Sequence, residues 1–245
     1  MEWFGRSYQS LPFSMFSISH LVMLSLFIII TMMMVVYRRN ILPDKWGKAE
    51  IGLAISLIGL EATNQFWMFH NGLWRVGRSL PLELCNIGLL LCILLLLTKK
   101  SIFFELLFFL AIFGATLAIF TPALKYDFPH YRFFHFFIAH AAIVWVSLYY
   151  WLVKGYKLTF YSVIKLLIFL NTLLPVVLYV NQMHNGNYWF LRHKPVSPSL
   201  FDIMGPYPWY ILTFEGMLLM VCIFGWLLIR FGHTIRNQSQ SQLSE

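Results

Sequence analysis

The chain has 245 residues, of which 59% are hydrophobic, 18% aromatic and only 11% charged, with a formal net charge of +8. Soluble domains carry roughly 25% charged residues, so this composition excludes an ordinary soluble domain. The surplus of Lys and Arg reads as a set of membrane topology signals, and no nucleic-acid partner is expected.

Apolar runs long enough to cross a bilayer, about 20 residues each, recur along the chain. In order they are Ile18–Tyr37, Lys48–His70, Pro81–Leu97, Ser101–Thr121, Phe133–Leu152, Thr159–Asn181 and Trp209–Arg230. They are continuously apolar and far longer than the alternating segments of a membrane barrel, so helices are expected. The predicted fold is an all-α polytopic bundle of seven transmembrane helices, forming one domain over residues 1–236. Residues 237–245 are polar and low in complexity and are expected to form a disordered cytoplasmic tail. Met1 to Ser17 lacks the basic start and small-residue cleavage site of a signal peptide, so the first span is expected to be retained.

The basic residues orient the bundle. Arg38, Arg39, Lys45, Lys48, Lys99, Lys100, Lys154, Lys157, Arg230 and Arg236 fall in short connections. Arg6, Arg75, Arg78, Lys125, Arg132, Arg192 and Lys194 are spread over longer ones. The denser set belongs inside, which puts the N-terminus outside and the C-terminus inside.

With that orientation, polar groups can be placed by depth. Glu61, Asn64 and Gln65 share one helix face at i, i+3 and i+4, about 8–14 Å below the outer end of the second span. Cys85 and Asn86 lie about 6–8 Å into the third span, His140 about 10 Å into the fifth and Glu215 about 9 Å into the seventh. An outward-opening polar cavity is the expectation. His135 is expected at the interface, on a different face from His140. Glu105 and Lys165 are expected to reach the inner interface. Glu83 is placed to pair with Arg75 or Arg78. Asn171 and Pro175 read as a kink with a polar patch.

Ionisable groups inside a membrane are costly and mark functional sites by default, which makes Glu83-Leu84-Cys85-Asn86 the leading candidate. Cys85 and Cys92 are about 10 Å apart along one helix, too far for a disulfide. Two outer connections stand out. Lys125 to Arg132 mixes charge with aromatics, and the long connection from Gln182 to Pro208 ends in Gly205-Pro206-Tyr207-Pro208-Trp209-Tyr210. The second is expected to be ordered over the outer face. No metal-ligand spacing, phosphate-binding glycine loop or dinucleotide motif occurs, so no cofactor is expected.

Three groups of residues carry a family resemblance: Pro81-Leu82-Glu83-Leu84-Cys85, Phe128-Pro129-His130-Tyr131-Arg132-Phe133-Phe134 with His140 following, and Asn187-Tyr188 through Gly205-Pro206-Tyr207-Pro208-Trp209-Tyr210. Together they resemble the YwaF-type bacterial integral membrane family. That family is distantly similar to the eukaryotic transmembrane acyltransferase that remodels ether phospholipids, for which a Cys and a His are the proposed catalytic pair. The resemblance implies a multi-pass bacterial cell-membrane protein that transfers acyl groups among membrane lipids. Cys85 would be the nucleophile and His140 the base. Many members have His where this chain has Glu83.

Written as chemistry, a thiol in an apolar site needs a base to ionise. Glu83 or Glu215 would orient the imidazole, and Asn86 would donate to the oxyanion. Arg75, Arg78 or Arg132 would hold a lipid phosphate, with Glu61, Gln65 and Glu215 lining the substrate site. The rival reading is a small-solute or proton-coupled transporter built on Glu61, Gln65, His140 and Glu215, without catalysis.

Overall fold

A computed structural model describes residues 2–7, 12–41, 47–194 and 200–242. Lys45 and part of the connection from Gln182 to Pro208 (residues 195–199) lie outside the described residues, as do residues 243–245. The described chain is helical, and the only strand-like pairing within it is an isolated bridge between Pro12 and Tyr126.

Each apolar run forms a helix. They are α1 (Ile18–Tyr37), α2 (Gly47–His70), a single turn α3 (Val76–Ser79), α4 (Leu84–Thr98), α5 (Ser101–Phe109), α6 (Thr116–Phe120), α7 (Tyr131–Leu152), α8 (Phe160–Met183) and α9 (Trp209–Gln242). α5 and α6 are joined without a break by a π-helical stretch, Leu110–Ala115. Among the described residues five helices, counting α5 to α6 as one, are long and apolar enough to cross a membrane. α4 is shorter at 15 residues. α2 carries Lys48, Glu50, Glu61, Asn64 and Gln65, which lower its hydropathy. α9 continues through Asn237 to Gln242, into the segment expected to be unstructured.

α4 is the hub of the core, packing against α2, α5, α7 and the π-helical stretch. Leu91, Cys92, Leu95 and Leu96 are all buried. The outer helices show the reverse pattern. Leu21, Ile29 and Met32 of α1, Tyr161 and Ile168 of α8, and Leu212, Met220 and Phe224 of α9 are exposed. Large apolar side chains facing outward on several helices require an apolar surrounding. All three cysteines are free.

Charge gathers at the two ends. At the end where α2 begins and α4 finishes, Glu50 is buried, 2.8 Å from Lys154 and 3.3 Å from Lys99, and accepts a hydrogen bond from Tyr149. Glu105 and Lys165 come together near the start of α5 and α8. They pair at 2.7 Å, and Ser162 also donates to the Glu105 carboxylate, at 2.8 Å. A buried carboxylate is retained only when such partners offset its lost hydration.

At the opposite end, where α2 finishes and α4, α7 and α9 begin, the N-terminal segment is tied down by main-chain acceptors. Trp67 donates to the Phe4 oxygen and Tyr126 to the Arg6 oxygen. The buried His130 bonds the Gly5 oxygen through Nε2 and accepts from the Arg132 N–H through Nδ1. Burial is the main cause that lowers the His130 pKa from its ordinary value.

Candidate functional site

The segment that leads into α4 is held from outside by the Gln182–Pro208 connection. Asn181 clamps Tyr188, accepting from its N–H at 2.8 Å and donating to its oxygen at 2.9 Å. The Tyr188 hydroxyl then donates to Val76 O at 2.7 Å and accepts from Leu80 N–H at 2.9 Å. Burial pushes this phenol up to about 12, so it remains a neutral donor. Trp189 and Phe190 both adopt positive φ, 57° and 53°, a region that bulky side chains seldom occupy. The strain is held by the same bonds, including Trp189 Nε1 to the Leu82 oxygen at 2.6 Å. Gly77 and Gly186 meet backbone to backbone, and a Cβ on either would collide with the other segment's main chain.

Cys85 follows on the first turn of α4, half-buried. It lines a cavity of about 520 Å³ between α4, the π-helical stretch, α6, α7 and α9. The walls are almost wholly apolar, including Leu84, Ile143, Phe214, Leu218 and Val221. Thr116 is the other lining side chain with a hydroxyl or thiol, and its hydroxyl is committed to the Ala111 oxygen. Glu83, just ahead, lies against the backbone of Trp189 and close enough to Cys85 to act on it electrostatically. Asn86 is half-buried on the same first turn. The N–H groups of Leu84, Cys85 and Asn86 have no acceptor within the helix, which makes this turn a donor-rich end.

His140 is buried on α7, and its Nδ1 bonds the Phe136 oxygen at 2.7 Å. With Nδ1–H as donor, Nε2 is left as the acceptor. α4 and α7 both begin at the same end of the bundle and touch where Gly88 faces Ile143. Cys85 stands three residues before Gly88, and His140 three residues before Ile143, so the two lie at similar height on adjacent helices, but His140 is not among the side chains that line the Cys85 cavity.

The remaining predicted site residues fall in two other places. Glu61 accepts from Gln65 at 2.7 Å and stands 3.5 Å from His135. Arg132 bonds the Asn64 oxygen, reaches His135 Nδ1 at 3.4 Å and lies over the Trp67 ring. This polar cluster joins α2 to α7. His135 is therefore not an interfacial residue but a buried member of the cluster. Its spacing of three from Arg132 on one helix, opposite Glu61, Asn64 and Gln65, was the signal that would have found it. Glu215 stands apart, accepting from Asn171 at 2.7 Å across α8 and α9. That pair lines a smaller cavity of about 70 Å³, which shares Leu84, Phe214 and Leu218 with the Cys85 cavity. Arg75 and Arg78 are exposed on α3 and its N-cap, and neither forms an ion pair with Glu83 among the described residues.

Exposed apolar helices around a polar-patched core define a helical membrane protein. Residues 15–226 match the model of the TMEM164 family, and the chain belongs to that family. Comparison with curated proteins and with solved structures finds no match.

Proposed function

We propose that this protein is a bacterial cell-membrane acyltransferase, of the YwaF type, that passes an acyl chain between membrane lipids through a thioester on Cys85. The observation that carries this reading is the position of Cys85 in the wall of an apolar cavity of about 520 Å³, within the size range of small-molecule sites. An acyl chain matches those walls. The thiol at the donor-rich start of α4 is where its carboxyl carbon would sit.

In the first step the Cys85 sulfur attacks the ester carbonyl of a donor lipid. A C–S bond forms, the ester C–O bond breaks, and the lipid alcohol leaves with the proton taken from the thiol. In the second step an acceptor hydroxyl attacks the thioester and its proton returns to sulfur. His140 Nε2 is the proton carrier in both steps. The free N–H groups of the first turn of α4 and the Asn86 amide receive the oxyanion. Exposed Arg75 and Arg78 lie at the same end of the bundle and suit a lipid phosphate. In this reading all seven apolar helices cross the membrane, with the Cys85 end outside.

The alternative of a transporter without catalysis is less well supported, because Glu61 and Gln65 are engaged with His135 and with each other while Glu215 lies elsewhere with Asn171. The test is transfer of a labelled acyl chain from phospholipid to lysolipid in vesicles containing purified protein. Cys85→Ser is expected to lower the rate by at least about a thousandfold. Full activity in Cys85→Ala would overturn the proposal.

A further inference from the structure

The far end of the Cys85 cavity has its own construction. Along α9 the lining runs from Phe214 to Val221, about 10 Å at the helical rise. Leu84 lies beside Phe214 and Leu218 in both cavities, so the Cys85 end is the Phe214 end and Val221 marks the far end. One turn beyond Val221 stands Gly225, which is buried. A Cβ built there would lie 2.7 Å from Phe113 Cζ and 3.0 Å from its Cε2. The Phe113 ring therefore rests on the bare backbone of α9, one turn past the last α9 residue that lines the cavity.

Phe113 is also placed by an irregular backbone. It belongs to the π-helical stretch Leu110–Ala115, whose wider turn shifts its side chains from α-helical register. Gly114 beside it also lines the cavity but is exposed, with no neighbour within 4 Å of a notional Cβ, so the cavity opens to the surface at this side. A bulky ring seated on a glycine just past the last lining residue of α9 is a stop whose position two residues determine.

We propose that Phe113, seated on Gly225, is the chain-length gauge of this protein, setting how long an alkyl chain can lie in the cavity with its head at Cys85. The identity of that chain as an acyl group rests on the acyl-transfer reading, but the gauge itself does not. A larger residue at 225 drives the ring toward Cys85 and shortens the site. Removing the ring lengthens it. A surplus methylene in a filled apolar pocket costs on the order of tenfold, so the cutoff is expected to be sharp.

The experiment uses full-length protein in detergent and a series of n-alkyl methanethiosulfonates of increasing length. The rate of Cys85 modification is read by intact mass, with Cys85→Ala as the blank for Cys92 and Cys222. Wild type is expected to label fast up to one chain length and on the order of tenfold or more slower beyond it. Phe113→Ala moves that cutoff to longer reagents and Gly225→Val to shorter ones, while the shortest reagent labels all three alike and reports an intact fold. Phe113→Leu serves as a milder lengthening variant. An unchanged cutoff in variants that still label normally with the shortest reagent would overturn the gauge. Because labelling needs no turnover, a shifted cutoff without acyl transfer would sink only the catalytic reading. Acyl transfer with an unmoved cutoff would sink only the gauge.

Discussion

The Trp189 indole donates to the main-chain oxygen of Leu82 across 2.6 Å, and so fixes the residues just ahead of Cys85 from a connection more than a hundred positions away in sequence. Together with the Tyr188 bonds to Val76 and Leu80, this makes the Gln182–Pro208 connection the template on which the start of α4 is set. The connection thus acts as a clamp on the approach to the thiol.

Trp189→Phe removes one hydrogen bond and keeps most of the apolar packing. A loss of about 1 kcal/mol in stability is expected. The thermal midpoint should fall by a few degrees, and acyl transfer should drop severalfold as the turn carrying Cys85 loosens. Unchanged transfer with a lowered midpoint would show that the clamp matters for folding alone.

His140→Ala is expected to reduce transfer by about 10²–10⁴-fold, the usual span for a lost general acid–base. The protein should remain folded, since the ring's one observed bond is to the Phe136 oxygen of its own helix. A rate within a factor of two of wild type would remove His140 from the mechanism.

His130 makes stability depend on pH. Its folded pKa is depressed, chiefly by burial, and the geometry agrees, because its Nδ1 accepts the Arg132 N–H and cannot also hold a proton. The unfolded chain takes up that proton near pH 6.5, while the folded chain does so only lower down. Stability is therefore fully present above about pH 6.5 and declines as the pH falls toward the folded value. Thermal midpoints across this range should fall more steeply for wild type than for His130→Gln. Parallel slopes would contradict the assignment.

Lys165→Met leaves Glu105 buried with Ser162 as its remaining partner. Breaking a buried pair on one side is expected to cost about 3 kcal/mol, less whatever the partly exposed lysine already shared with water. The double change Glu105→Leu with Lys165→Met should recover much of that loss. A single variant as stable as wild type would show the pair to be weakly coupled.

The helices were legible because most are long apolar runs, and the observed bounds of α1 coincide with the run read from sequence. Position along each helix was also legible, since it needs only the rise per residue. Which helices touch was not. Glu61, Gln65, His140 and Glu215 share a depth, yet Glu61 and Gln65 join the α2–α7 cluster, while Glu215 pairs across α8 and α9. The Phe113–Gly225 contact was equally invisible, because a π-helical stretch shifts register without a sequence signal as plain as a proline. The pairing of Glu105 with Lys165 was not legible either, because sequence does not show that α5 and α8 pack together.

A thioester on Cys85 is tested by the intact mass of protein purified from native membranes, before and after hydroxylamine, beside Cys85→Ala. An acyl-sized adduct is expected that hydroxylamine removes and that Cys85→Ala lacks. An adduct of the same size persisting in Cys85→Ala, or no adduct after incubation with phospholipid under conditions where transfer is measured, would contradict it.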